Sequence, residues 1–292
     1  MLDFNDKYSE YLRYFEESLD KKLSSLYKTA PSVIKDAMAY AVEGGGKRVR
    51  PVLCYATCEM LGGNITDVTE LALAIEFIHS YSLVHDDLPS MDNDDYRRGK
   101  FSTHKQFGEA IGVLAGDALL NFAFEILLSK KDITDGYINA AKIVADYAGY
   151  GGMIGGQVLD LLSEKSVRSD EKTLYDIYIN KTAKLITAPI LAASCVTGGK
   201  HFDALKEYGS DLGLLFQITD DLMDAFGTKE EIGKTPHKDE AENKLTSIKV
   251  FGADGAKEKA RECYLNAKAV IEKIDDIGFL TAFTDKMFQR RS

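Results

Sequence analysis

The 292-residue chain has no tryptophan, only five prolines and only four cysteines. So few prolines leave long stretches free to be helical. Abundant Ala, Leu, Ile and Lys in helix-period windows then point to an all-α protein, a single domain over residues 1–292. The cysteines (Cys54, Cys58, Cys195, Cys263) form no C-x-x-C pair. Cys54 and Cys58, four apart on an expected helix, read as small buried thiols rather than metal ligands. With no secretory context, a reduced, cytoplasmic protein is expected. Basic charge is also short. Against 46 acidic residues there are 36 lysines and arginines, a net charge of -10 that argues against non-specific nucleic-acid binding. The opening MLDFNDKYSEYLRYF lacks the basic-then-apolar order of a targeting peptide. The most apolar window, Ala110 to Leu128, is broken by Asp117, Asn121 and Glu125 at one-turn spacing. That pattern predicts a buried bundle helix with one polar edge and no membrane span. No internal repeat and no Ser–His or Cys–His nucleophile constellation stands out.

What is present in excess is aspartate, and it is concentrated. From Val68 onward Leu71, Ala72, Ile75 and Ser82 recur at helical spacing, and His79 and Asp86 continue the same stripe. His79 then lies roughly 10 Å before Asp86 along one face. Five aspartates follow within ten positions (Asp86, Asp87, Asp92, Asp94, Asp95), with Arg97 and Arg98 directly after. Such a density of like charge repels itself unless cations share it. All-oxygen donors suit hard ions, and magnesium in particular binds through few carboxylates while keeping water and substrate phosphate. A solvated acidic loop is the alternative, but the acids extend an apolar face and not a polar one.

The theme returns late in the chain. Gln217, Asp220, Asp221 and Asp224 fall at i, i+3, i+4 and i+7 on a helix whose earlier turns carry Leu212, Leu215 and Phe216. Lys234, Lys238 and Lys244 follow. Two acidic clusters with cationic exits describe a clamp on a diphosphate, with metal ions bridging carboxylate and phosphate oxygens. Ahead of both, Gly44-Gly45-Gly46-Lys47-Arg48-Val49-Arg50-Pro51 puts glycines and cations at a helix start, with Pro51 suited to the first turn. Lys47 and Arg50 would add donors for an anion there. It is not a Walker A loop, which needs GxxxxGK[ST]. Helices are expected at about 5–27, 32–42, 51–60, 109–129, 135–162 and 169–198. Five glycines in 149–156 imply either a break or a close neighbour, at about 1 kcal/mol each against alanine. Gln157 and Asp160, three apart, face either the site or solvent. Lys181 and Thr182 sit between Ile179 and Leu185, and the lysine either snorkels to water or meets phosphate. Pro189 should kink that helix.

Taken in order, GGGKRVRP at 44–51, HDDLPSMDNDDYRRG at 85–99, GGQVLD at 155–160, KT at 181–182, FQITDDLMD at 216–224 and GK at 233–234 resemble the trans-isoprenyl diphosphate synthases, over nearly the whole chain. The likeness is greatest to their bacterial short-chain branch. It implies a homodimer of bundles, each of about ten core helices around a deep central cavity. Asp86, Asp87 and Asp92 would face Asp220, Asp221 and Asp224 and hold Mg2+, three ions bound with the allylic diphosphate. Lys47, Arg50, His79 and Arg98 match an isopentenyl diphosphate site; Arg97, Lys181, Thr182, Gln217 and Lys234 match the allylic diphosphate site, with Lys181 also counted as catalytic. The resemblance implies ionisation of the allylic diphosphate, attack by isopentenyl diphosphate and proton loss to the released diphosphate. His237 and Ser247 depart from the pattern, at a glycine and at an aromatic. Tyr81 and Ser82, five and four residues before Asp86, lie roughly 6–8 Å down the helix. Tyr81 either packs on a neighbouring helix or, as the resemblance implies, ends the product tail at farnesyl length. The alternatives are a geranylgeranyl product, a terpene cyclase or a non-catalytic partner subunit. Against a cyclase, the second motif is aspartate-only; against a lost activity, both motifs are intact.

Overall fold

The structure, a computed structural model, describes residues 3–26, 28–43, 45–164, 170–227 and 244–289. Among these residues it is almost wholly helical, the only strands being the two-residue antiparallel pair Tyr96–Arg97 and Lys100–Phe101. Helix α1 (Phe4–Ser24) shows how the sequence writes its elements. Asp3 caps it by accepting from the Asn5 N–H, Lys21 and Lys22 suit its last turn, and Tyr11, Phe15, Leu19 and Leu23 bury one face at four-residue spacing. Then come α2 (Ser32–Glu43) and α3 (Val49–Met60), with Pro51 in the first turn of α3.

Helix α4 (Thr69–Asp86) is the centre of the bundle. The sequence suggests one apolar stripe, yet Leu71 through Ile78 are all buried, together with Ser80, Tyr81 and Val84. It is a core helix surrounded by α1, α2 and α3 and by three later helices, α6 (Glu109–Leu128), α7 (Asp135–Ala148) and α10 (Lys184–Val196), so its end delivers Asp86 into the interior. After a short α5 (Thr103–Phe107), α6 (Glu109–Leu128) packs along α4. The sequence predicts α6 buried apart from a polar edge. Instead Val113, Leu114, Phe124 and Leu128 are exposed on the side of Asp117 and Asn121. Its mean hydropathy of 1.8 over an 18-residue window would suit a membrane crossing, but one such helix in a bundle is weak evidence for one.

The glycine run answers both ways. The expected helix over 135–162 is two, α7 (Asp135–Ala148) and α8 (Met153–Glu164), broken at 149–152. Within α8, a Cβ on Gly156 would lie 2.1 Å from the Lys181 backbone nitrogen. The helix expected over 169–198 starts at α9 (Glu171–Ile177), capped by Asp170, and ends with α10 (Lys184–Val196). Between them, Tyr178–Ala183 forms a π turn. The departure from α geometry therefore comes before Pro189, which sits inside α10. On its other side the π turn meets α11 (Phe202–Phe226), where a Cβ on Gly213 would lie 2.4 Å from the Ala183 Cα. Two glycines thus let two helices clamp the turn that carries Lys181 and Thr182. Helices α12 (Ser247–Ile271) and α13 (Phe279–Phe288) close the bundle, α12 packing along α11.

Candidate active site

A cavity of about 460 Å³ opens between the end of α4, α8, the π turn and α11. Arg50, His79, Asp86, Lys181, Thr182 and Gln217 line it together with Met91, Met153, Ile154, Val158, Leu161 and Phe216. Charged and apolar walls share one space of ligand size.

The first aspartate stretch folds back on the helix end that precedes it. The Asp92 N–H donates to the Asp86 carbonyl at 2.9 Å and the Asp94 N–H to the Asp87 carbonyl at 3.1 Å, with Asn93 in the left-handed region (φ 51°). Burial pushes the Asp86 carboxyl up to about 6, against the pull of Lys181; Asp92 adds to the rise, while Lys244 and Arg97 oppose it. Asp92 Oδ2 pairs with Lys244 Nζ at 3.0 Å. Asp87 is buried and turned to Arg97, whose Nε donates to its Oδ1 at 2.9 Å and Oδ2 at 3.3 Å. Arg97 Nη2 also bonds Asp87 and reaches Asp94 at 3.3 Å. Burial would lower the Arg97 pKa, but Asp87, Asp94 and Asp86 raise it instead.

On the facing wall, Lys181 Nζ donates to Asp160 Oδ2 at 2.6 Å, which settles Asp160 as a site neighbour and not a surface residue. Burial works to discharge Lys181; Asp160 and Asp86 outweigh it and keep the ammonium. Thr182 Oγ1 donates to Gln217 Oε1 at 2.8 Å, and Gln217 Nε2 donates to Asp221 Oδ1 at 3.1 Å. Asp221 Oδ2 accepts from the Ser247 N–H at 2.7 Å, from the Ser247 hydroxyl at 2.8 Å and from the Tyr178 hydroxyl. Burial pushes Asp221 up to about 7, with these donors opposing. Asp224 is buried and Asp220 half-buried on the same helix.

Three of the six expected aspartates, Asp87, Asp92 and Asp221, therefore meet the protein donors just described. Among the described residues no three His, Cys, Asp or Glu side chains gather closely enough to hold a metal ion. That donor set still fits magnesium, whose sites use one or two carboxylates and take their remaining oxygens from water and phosphate.

A cationic corner lies below. Arg50 Nε is buried without a protein partner among the described residues, and burial lowers its pKa to about 10, with Glu76 opposing and Arg98 adding. Burial, then Arg50 and Arg98, hold His79 well below its ordinary value, so its imidazole is neutral. Arg98 donates to the Gly45 carbonyl; Gly46 has φ 135°, a conformation strained for any side chain, and a Cβ there would also crowd the guanidinium carbon at 3.0 Å. Arg48, in the left-handed region (φ 46°), anchors the loop from beneath: it pairs with Glu16 at 2.8 Å and Glu76 at 3.0 Å and donates to the Val42 carbonyl at 2.8 Å. Lys47 does not join its expected neighbours. It lines a second pocket with Phe4, Tyr8, Phe283 and Lys286. Tyr81 and Ser82 both line the main cavity. The Tyr81 ring packs edge-on to His85 at 5.8 Å, and burial and Asp86 push its hydroxyl up to about 12. Lys234 and His237 lie outside the described residues.

The sequence reading missed Arg48, Glu76, Tyr178 and the task of Ser247. A glutamate inside the apolar run 71–78 was a legible sign of a buried cation; nothing local marks Tyr178.

Residues 31–278 match the polyprenyl synthetase family. The chain is 43% identical over 249 residues to a geranylgeranyl pyrophosphate synthase of Capsicum annuum, covering 84% of this chain and 68% of that protein. It is 39% identical to a farnesyl diphosphate synthase of Micrococcus luteus, covering 90% and 92%. Among solved structures, a geranyltransferase from Helicobacter pylori complexed with magnesium and isoprenyl diphosphate superposes with a TM-score of 0.80 at 30% identity, covering 96% of each chain.

Proposed function

This chain belongs to the polyprenyl synthetase family and is a prenyltransferase, and from that premise we propose that it condenses isopentenyl diphosphate with dimethylallyl and then geranyl diphosphate to give farnesyl diphosphate. The observation that carries the reading is one cavity with cations and carboxylates for diphosphates and apolar walls for a prenyl tail. We take residues 1–292 as one catalytic domain of a cytoplasmic enzyme.

In the reaction the C–O bond of the allylic diphosphate breaks, the double bond of isopentenyl diphosphate forms the new C–C bond, and the resulting cation loses a proton to the released diphosphate. Lys181, Thr182, Gln217 and Arg97 are assigned to the departing diphosphate, with Lys234 from the residues not described. Arg50, His79, Arg98 and Lys47 are assigned to isopentenyl diphosphate. Neutral His79 serves there as a hydrogen-bond partner and not as a charge. Asp86, Asp92, Asp220 and Asp224 are the carboxylates we assign to magnesium, with three ions bound. When bound, magnesium would neutralise charge on the leaving diphosphate. Asp87 and Asp221 act by placing Arg97 and the Gln217–Thr182 chain. Met153, Phe216 and their apolar neighbours keep water from the allylic cation. No serine or cysteine nucleophile is required.

Purified protein with magnesium, isopentenyl diphosphate and each primer, followed by chromatography of the products, tests this directly. No prenyl product from any primer would sink the reading, and a cyclic hydrocarbon made without isopentenyl diphosphate would make it a cyclase. Arg50→Ala is expected to raise the KM for isopentenyl diphosphate by about 10- to 100-fold, the value of a charge-assisted hydrogen bond. Lys47→Ala should have a smaller effect, because that side chain lies in the neighbouring pocket. A rise confined to the allylic primer's KM would overturn the division of the cavity.

The relatives include both farnesyl and geranylgeranyl synthases, so product length rests on Tyr81. Its side chain is buried on the cavity wall, about 1.4 helical turns before Asp86. Tyr81→Ala should lengthen the products with little loss of primer turnover. An active variant with an unchanged product distribution would leave geranylgeranyl diphosphate as the product to consider.

A homodimer is part of the same proposal. On α6, Leu114 is 53% and Leu128 78% exposed, in line with Val113 and Phe124, an apolar face that a second copy would bury. Leu114→Glu with Phe124→Glu should convert dimer to monomer in light scattering; a wild type that is monomeric at micromolar concentration would remove this element.

A further inference from the structure

Lys244 comes three residues before Ser247, and Ser247 is tied to the second aspartate motif through both its N–H and its hydroxyl on Asp221. That tie brings Lys244 across to the first motif. Its ammonium lies 3.0 Å from Asp92 Oδ2, with the side chains 15% and 11% exposed. Lys244 also works against the rise in the Asp86 pKa, and it repels Lys181, so the two ammonium groups share one field of carboxylates. Asp86 and Asp92 repel each other, and without a cation this arrangement would be unfavourable.

We propose that Lys244 occupies the place of a divalent cation on Asp92 in the metal-free protein, and thereby makes metal binding depend on diphosphate. The inference rests on the reading of the site given above. A lone divalent ion would have to displace a largely buried ammonium and shed water for a site with no three clustered acidic or imidazole donors among the described residues. Diphosphate changes the balance, because it brings oxygen ligands and negative charge that offset the displaced lysine. Metal and diphosphate would then bind with positive coupling, and the coupling would reside partly in Lys244. Ser247, one of the two residues that depart from the family pattern, would be the positioning residue that keeps Lys244 on Asp92.

The test measures Mn2+ binding by paramagnetic resonance of the free ion, in the full chain, with and without inorganic pyrophosphate. Lys244→Met should bind Mn2+ alone about tenfold more tightly than wild type, and pyrophosphate should tighten it by a smaller factor than in wild type. Lys244→Gln, which keeps a polar end, should show the same direction and covers the case in which the methionine variant fails to fold. Adding Asp92→Asn to Lys244→Met should remove the gain. Ser247→Ala should give a smaller gain than Lys244→Met. Equal Mn2+ affinity of wild type and both Lys244 variants without pyrophosphate, or an unchanged pyrophosphate effect, overturns the proposal. A chain that shows the metal linkage but makes no prenyl product would keep this inference and sink the prenyl-transfer reading, so the two failures are separable.

Discussion

Asp86→Ala is expected to lower the rate at saturating substrates by about three orders of magnitude or more, roughly 4 kcal/mol of transition-state stabilisation. Asp86 ends the central helix α4 and lines the cavity, and the charges of Lys181, Lys244 and Arg97 all act on it. Its assigned task arises as charge develops on the departing diphosphate, so its loss should fall on kcat and not on KM. Asp220→Ala should behave alike from the opposite helix. The measurement is steady-state prenyl transfer with circular dichroism to confirm folding, and Asp86→Asn separates charge from shape. Variants that change only KM would contradict the assignment of both residues.

Arg48→Met is expected to lower stability by about 3–5 kcal/mol, the largest effect anticipated away from the cavity. Its guanidinium is buried and holds two carboxylates; the Glu76 side chain is only 2% exposed, and its Oε2 has no other partner among the described residues. Removing the cation leaves Glu76 as a buried, uncompensated acid on α4. Urea unfolding of the single variant, of Glu76→Leu and of the double variant would show the coupling, with the double less destabilised than the sum of the singles. A loss under about 1 kcal/mol for Arg48→Met would mean that Glu76 reaches water once the guanidinium is gone.

Most of the helical plan was legible because it rests on local chemistry. The four-residue spacing of Tyr11, Phe15 and Leu19, the early Pro51 of α3 and the acid-capped start near residue 170 are readable without knowing any neighbour. The glycine run 149–156 was readable as an anomaly but not as an explanation. Its meaning depends on the π turn, whose Lys181 backbone nitrogen stands where a side chain on Gly156 would go. Spacing also failed for α4 and α6, for opposite reasons. A stripe on α4 suggested one buried side where six helices bury nearly every side, and α6 is apolar on a face left open.

The candidate site divides along the same line. The sequence alone determined the inventory: two aspartate motifs, a glycine-rich cationic loop, a Lys-Thr pair and an all-helical frame to carry them, since residue types and their short-range spacing are properties of the chain. Partner choice was decided only in three dimensions. Asp86 and Asp87 are adjacent in sequence, yet one lines the cavity and the other is held by Arg97. Lys47 and Arg50 are three apart and enter different pockets. Asp92 meets Lys244 from 152 positions away, and Ser247 reaches back to Asp221. A carboxylate's role follows from which donors pack within about 3 Å of it, and long-range packing of helices, not the order of residues along them, sets that distance.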